Sequence, residues 1–102
     1  MPTLPYYAVI FTSVRTEIED GYHEMNDLLM EKAEEYEGFI RQDAVRDGLG
    51  IAISYWQDLE SIQAWRKDVD HLVAKERGKK EWYTQYSVRI AKVEREYGKN
   101  AD

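Results

Sequence analysis

The side chains that could bind or transform a small molecule lie mostly in the second half of the chain, where large aromatic residues gather. All three tryptophans fall between positions 56 and 82. Flat rings of this kind either form a hydrophobic core or line a pocket for a flat organic molecule. A buried indole N–H also needs a hydrogen-bond partner. We expect Trp65 to belong to the core and to form one pocket wall, with Trp82, Tyr83 and Tyr86 as further substrate-binding candidates.

His71 is the candidate for a general base, because histidine changes its charge near neutral pH. The simpler alternative is a histidine on a helix surface, since Asp68, Asp70 and Lys75 surround it in the sequence. His71 follows Trp65 by six residues. At about 100° per residue, the two therefore lie about 240° apart around a helix. This difference favours the surface interpretation.

Arg89 is the candidate for stabilising an anion, because a guanidinium on a buried face can bind an enolate or phenolate through charge-assisted hydrogen bonds. The alternatives are an ion pair with a carboxylate such as Asp43, or a contact between two subunits. Side chains alternate between the two faces of a strand. This alternation predicts that Arg89 shares a face with Tyr83, whereas Trp82 and Tyr86 share the other.

The composition restricts the class of protein. A length of 102 residues favours one domain over 1–102 with its core at about 6–97, and 43% hydrophobic residues indicate a globular chain. The net charge of −6 argues against binding to nucleic acids and to anionic membranes. The absence of cysteine excludes disulfides and thiolate chemistry, and no segment resembles a signal peptide or a membrane span. We expect a cytoplasmic protein without a metal or a cofactor.

Hydrophobic periodicity predicts the order strand, helix, strand, strand, helix, strand. Apolar residues recur at spacings of three and four in the helices, and a turn around Gly48 joins the middle strands into a hairpin. Asp58 is expected to cap the second helix, and Gly38 to end the first. The order is that of an α+β, ferredoxin-like fold, a four-stranded antiparallel sheet with two helices on one face. The predicted strands span 6–14, 39–46, 51–56 and 82–94.

The strands carry apolar residues on both faces, although the helices can cover only one. In the first strand, Ala8 and Ile10 face one way while Val9 and Phe11 face the other. A second apolar face must be covered, and no further element is predicted that could do so. We therefore predict a homodimer joined sheet to sheet.

A signature of spaced aromatic and glycine residues extends over positions 6–97. It comprises Tyr55-Trp56, Ile62-x-x-Trp65, His71, Gly78-x-x-x-Trp82-Tyr83-x-x-Tyr86 and Arg89-Ile90-x-x-Val93-Glu94-x-x-Tyr97, with Gly38-Phe39 and Gly50-Ile51 upstream. These residues resemble the antibiotic biosynthesis monooxygenase family. The resemblance implies a dimeric α+β barrel, in which two ferredoxin-like sheets close against each other.

That family includes cofactor-independent oxygenases of aromatic polyketides, in which the polyphenolic substrate itself supplies electrons to dioxygen. Other members degrade haem, with an asparagine on the first strand, a tryptophan on the second helix and a histidine ten positions later. Trp65 matches that tryptophan, but Lys75 stands at the histidine position and the first strand has no asparagine. His71 is the available substitute one helical turn earlier, with a different geometry.

The sequence leaves three hypotheses of function open. The first is a small cofactor-independent monooxygenase that oxidises an aromatic or polyphenolic molecule with dioxygen, with His71 as base, Arg89 as anion stabiliser and the aromatic residues as pocket. The second is haem binding or haem degradation. The third is a non-catalytic dimeric module that binds a small aromatic ligand. A fold alone does not choose among them.

Overall fold

The elements follow one another in the predicted order in a computed structural model that describes residues 2–17, 22–76 and 83–99. Their bounds are β1 Tyr6–Arg15, α1 Tyr22–Glu34, β2 Phe39–Asp47, β3 Leu49–Trp56, α2 Leu59–Glu76 and β4 Tyr83–Val93. The strands pair antiparallel in the order β2-β3-β1-β4. This confirms the predicted ferredoxin-like α+β fold. Neither described helix is long and apolar enough to cross a membrane.

Local contacts explain where the elements begin and end. The Ser61 N–H donates a hydrogen bond of 2.7 Å to Asp58 Oδ1, which is the predicted cap of α2. The β2–β3 hairpin turns at Gly48, whose φ of 78° lies in the left-handed region that favours glycine. The prediction that Gly38 ends α1 was wrong, because the helix ends at Glu34. Gly38 instead permits close packing, since a Cβ there would overlap the Ser61 side chain.

The core lies between the sheet and the helices and is centred on Trp56, which is 0% exposed. Val9, Ala33 and Ile62 pack around it. Partly buried rings extend the cluster, and the Trp65 ring lies 5.2 Å from the Trp56 ring between centroids. The Trp56 Nε1–H donates a 2.9 Å hydrogen bond to Ser54 Oγ, so this fully buried indole has its donor satisfied.

The two faces of the sheet differ in what covers them. Val9 and Phe11 of β1 share the helix-covered face with Ser54, Ala52 and Val88, as the pairing register requires. We call the opposite side of the sheet the open face. It carries apolar and aromatic side chains, and most of them are partly exposed. They are Ala8, Ile10, Val14, Ile51, Ile53, Tyr55 and Val93. The predicted second apolar face is therefore present, and the homodimer that would cover it stays a prediction.

A bulge in β4 changes which aromatic side chains lie together. Val14 pairs with Gln85 but Arg15 pairs with Tyr83, so β4 carries one extra residue at this point. Tyr83 consequently joins Tyr86 on the helix-covered face, with 6.0 Å between their ring centroids. Strict alternation had placed Tyr83 on the other side of the strand, and that prediction was wrong because alternation fails across a bulge.

Candidate functional site

A cavity of about 140 Å³ lies between the two helices and the sheet. Most of the side chains that line it are apolar or aromatic, among them Phe11, Met25, Leu29, Trp65, Val69 and Val88. An engineered apolar cavity of about 150 Å³ is known to bind benzene. The space is therefore large enough for one aromatic ring, and its lining suits an apolar ring face.

Trp65 forms one wall of the cavity. Its ring is tilted by 36° against Trp56, and its Nε1–H donates a hydrogen bond of 3.3 Å to the backbone carbonyl of Leu29 on α1. The indole donor is thus already used within the fold. Trp65 offers a ligand the flat surface of its ring rather than a hydrogen bond.

Tyr83 lines the cavity together with Tyr22, where β4 meets α1. Their ring centroids lie 6.0 Å apart, and Phe11 lies 5.4 Å from Tyr83. Burial, and then a hydrogen bond with Tyr22, raises the pKa of the Tyr83 phenol above its ordinary value. Tyr83 therefore stays protonated at neutral pH, donates its hydroxyl hydrogen to Tyr22 and cannot act as a base.

Two arginines lie close to this tyrosine pair. The Arg15 guanidinium lies 3.5 Å from the centre of the Tyr22 ring, in a cation–π contact. Arg46 donates hydrogen bonds to the Ser13 hydroxyl at 2.6 Å and to the Ser13 carbonyl at 3.3 Å. Both positive charges act against the rise in the Tyr83 pKa. An anion bound beside Tyr83 would therefore have cations nearby.

Two polar side chains, Gln42 and Ser54, lie on the sheet side of the cavity, opposite each other in the β2–β3 register. Ser54 is 6% exposed and accepts the hydrogen bond from Trp56. Gln42 Oε1 is buried and has no hydrogen-bond partner among the residues that the structure describes. Reasoning from the sequence missed both residues. Both could have been found as polar side chains on the inward faces of their strands. Ser54 stands one inward position before Trp56 on β3, and Gln42 lies opposite Ser54.

Arg89 does not reach the cavity. It pairs with Ile10 and so lies on the open face, where it is exposed and donates a hydrogen bond of 2.8 Å to Ser87 Oγ. The expectation of Arg89 beside Tyr83 is therefore corrected. The suggested ion pair with Asp43 is not formed either, because Asp43 pairs with Arg41 at 2.6 Å. Arg46, which lies on the cavity side of the sheet, is the better-placed cation.

The remaining candidates are only partly placed. Tyr86 lies 5.9 Å from Phe11 between ring centroids and is 48% exposed, beside the cavity rather than in its lining. His71 belongs to α2, but its side chain and all of Trp82 lie outside the described residues. Within the described ranges, no group of three or more histidine, aspartate or glutamate side chains could hold a metal ion.

Known proteins resemble this chain in sequence and in fold. No protein-family model matches the chain. YqjZ of Bacillus subtilis (strain 168), an uncharacterized protein, is 44% identical over 97 residues, which are 93% of this chain and 85% of YqjZ.

Two solved structures show the same fold at low sequence identity. SnoaB, a cofactor-independent oxygenase from Streptomyces nogalater, matches with a TM-score of 0.64 and 9% identity, over 92% of this chain and 96% of SnoaB. A Nitrosomonas europaea protein, assigned provisionally as an antibiotic biosynthesis monooxygenase, matches with a TM-score of 0.66 and 14% identity, over 89% of this chain and 91% of that protein. The chain belongs to the family of Bacillus subtilis YqjZ and has the fold of the antibiotic biosynthesis monooxygenases, as its spaced aromatic residues predicted.

Proposed function

We propose that the protein is a cofactor-independent monooxygenase that oxidises a small aromatic molecule with dioxygen. The observation that carries the proposal is the apolar cavity of one-ring size, walled by Trp65 and lined by the neutral Tyr83 phenol. The fold that it shares with the oxygenase SnoaB supports the same reaction class. An apolar cavity suits this chemistry, because it holds a flat ring away from water and close to fixed donors.

In such a reaction the substrate supplies all the electrons. Hydroquinone, for example, would become hydroxybenzoquinone, and an anthrone would become an anthraquinone. In both cases the substrate loses two hydrogen atoms and gains one oxygen atom, which is a four-electron oxidation. The second oxygen atom of dioxygen leaves as water with those two hydrogens, so atoms and electrons balance without a cofactor.

The chain's own residues would bind the substrate and manage its charge. His71 remains the proposed base that removes a substrate proton. Tyr83 would turn its hydroxyl hydrogen from Tyr22 to the resulting anion, and Arg46 would supply positive charge nearby in place of Arg89. Trp65 would hold the ring by its flat face.

Oxygen-dependent turnover tests the proposal. The protein is incubated with hydroquinone, which has a single ring, under air, under nitrogen and under ¹⁸O₂, against protein-free controls for spontaneous oxidation. We expect protein-dependent product only with oxygen, carrying one ¹⁸O atom per molecule. Equal product with and without oxygen refutes the proposal. Ligand binding without any turnover also refutes it, and supports the non-catalytic binding module.

Haem binding is the alternative that the position of Trp65 suggests. A haemin titration followed at the Soret band tests it. The residues do not favour this alternative, because Lys75 stands at the histidine position of the haem-degrading members and the first strand has no asparagine. A saturable Soret shift at one haem per chain would contradict this expectation.

We also propose that the protein works as a homodimer joined through the open face. Apolar side chains near the middle of that face, such as Ile10 and Ile53, would cover their counterparts in a second copy. Replacement Ile53→Glu should shift the mass from dimer to monomer in light scattering after size exclusion. Leu28→Glu, on the exposed side of α1, is the matched control and should leave the mass unchanged. A monomeric unmodified protein would contradict the proposal.

A further inference from the structure

Arg66 is the one charged side chain in the described lining of the cavity, and the other lining residues are apolar, aromatic or neutral polar. It belongs to α2, directly after Trp65, and its side chain is partly exposed. An arginine in this setting covers apolar surface with its aliphatic stem and keeps its guanidinium in water. Arg66 therefore lies at the opening of the cavity, where a ligand from solvent can reach it.

The fold leaves Arg66 without a partner. Asp70 follows it by one helical turn, at a spacing at which ion pairs form on helix surfaces, but the two side chains do not pair. In the described part of the chain, Arg66 makes neither an ion pair nor a hydrogen bond. The other arginines near the cavity are engaged, since Arg15 stacks on an aromatic ring and Arg46 is hydrogen-bonded to a serine. Arg66 is thus the cation that remains for a ligand.

The chemistry of a guanidinium defines the group that it would bind. Arginine has N–H donors and no acceptor, so the ligand group must accept hydrogen bonds. A carboxylate matches the planar fork with two parallel hydrogen bonds and supplies the opposite charge. Asn26 of α1 also lines the cavity, and its exposed amide is a further donor for such a group. One guanidinium balances one negative charge, and the net charge of −6 disfavours a dianion such as a phosphate monoester.

The residues beside Arg66 define the rest of the ligand. Trp65 precedes it and Val69 follows it by three residues, and both line the same cavity. A flat ring and an aliphatic wall therefore lie next to the guanidinium. We propose that Arg66 binds the carboxylate of an aromatic carboxylic acid whose ring lies in the cavity against Trp65. This names a substrate class for the proposed oxygenase and rests on that function for its biological meaning, but binding is measured apart from turnover.

The proposal fixes which end of the ligand enters the cavity. Moving an ionised carboxylate into an apolar interior costs free energy, so the carboxylate stays at the partly exposed Arg66. The other end of the ring then lies toward the interior. A ring with both a carboxylate and a hydroxyl group, as in a hydroxybenzoate, would present its hydroxyl group to the interior, where the proposed reaction takes place.

Fluorine NMR under nitrogen tests the inference without any reaction. The probes are 4-fluorobenzoate and 4-fluorobenzamide, which have nearly the same shape and differ in charge at neutral pH. We expect the unmodified protein to bind the benzoate about tenfold more tightly, the order expected of one charge-assisted pair at a partly exposed site. Acetate in about tenfold excess should not displace the benzoate, because acetate has no ring to bury in the cavity.

The decisive variant is Arg66→Met, which keeps an apolar stem and removes the charge. We expect it to bring the two affinities to within about twofold of each other. Lys67→Met is the matched control, because it removes the same charge at the next position, which is exposed and outside the cavity lining, and it should keep the tenfold preference. A third probe, 4-fluorophenol, has no carboxylate and should bind Arg66→Met and the unmodified protein equally. The circular dichroism spectrum and melting temperature show that each variant is folded.

Four results would overturn the inference. They are no preference for the benzoate in the unmodified protein, an unchanged preference in Arg66→Met, an equal loss of preference in Lys67→Met, and displacement of the benzoate by acetate. A loss of 4-fluorophenol binding in Arg66→Met would also overturn it, because Arg66 would then maintain the cavity rather than bind a carboxylate. The proposed function fails separately. Selective binding without oxygen uptake would refute oxygenation alone, whereas oxygen uptake with hydroquinone and a cavity indifferent to charge would refute the carboxylate site alone.

Discussion

Filling the cavity should make the protein more stable and at the same time abolish ligand binding. Ala52 is the position for this test, because it lines the cavity from the middle of β3, between Phe11 and Ala44 in the register. Replacement by isoleucine adds three carbon atoms that point into the space between sheet and helices. The β-branched side chain also suits a strand.

The gain can be estimated from the cavity and the added carbons. A cavity of 140 Å³ costs about 3 kcal/mol at about 24 cal/mol per Å³, which is the most that filling could recover. Burial of three carbon groups contributes about 2.4 kcal/mol, and ordering the side chain costs about 0.5–1 kcal/mol. We therefore expect Ala52→Ile to raise the free energy of unfolding by about 1.5 kcal/mol. The melting temperature should rise by about 6–12 °C.

Urea denaturation at a fixed protein concentration measures the free energy of unfolding. Binding of 4-fluorophenol shows whether the cavity is still open to a ligand. Ala44→Ile is the matched control, because Ala44 lies beside Ala52 on the same face of the sheet but is exposed and outside the cavity. The control should change stability by less than about 0.5 kcal/mol and keep binding. If Ala52→Ile is destabilising, or if it still binds the probe, the cavity does not have the open volume that the argument requires.

Three further predictions concern single contacts. Asp58→Ala should lower the free energy of unfolding by about 1 kcal/mol in urea denaturation because the cap on Ser61 is lost, while an equal loss in Asp58→Asn would contradict a capping role. Gly50→Ala should cost about 1–2 kcal/mol because a Cβ would displace the Arg46 guanidinium. In an Arg46→Ala background the same change should cost less than about 0.5 kcal/mol, and an unchanged cost would refute the clash. Because the pKa of Tyr83 is raised by folding, its contribution to stability is complete below about pH 10 and is lost as the pH rises toward the folded value. Thermal melts should therefore show that, between pH 10 and 11, the free energy of unfolding falls by about 0.5 kcal/mol less in Tyr83→Phe than in the unmodified protein, half of the unscreened value because Tyr83 is only partly buried. Equal losses would contradict the raised pKa.

The sequence predicted the order of the elements and the presence of apolar residues on both faces of the sheet, because both follow from periodicity over many residues. The position of Trp65 in the cavity wall follows in the same way from the helical period. The prediction of the faces of Tyr83 and Arg89 depended on counting residues along one strand. One extra residue in β4 places the two side chains on opposite faces of the sheet. A bulge depends on local packing and hydrogen bonding, and the two-residue periodicity of a strand sequence carries no information about them.

The cavity itself follows from the sizes of the inward residues of β3. From Trp56 the side chains facing the helices shrink to Ser54, Ala52 and Gly50 at successive inward positions. Trp56 fills the space beneath α1 and α2 at one end, and Gly50 is covered by the Arg46 guanidinium at the other. Between them the small side chains leave room above the sheet, which the longer side chains of the helices do not fill. A larger apolar residue at position 52 would fill part of this space, which is the basis of the gain expected from Ala52→Ile. The small side chains of Ser54 and Ala52 thus provide, between sheet and helices, the open space that a ligand site requires and that a filled structural core would lack.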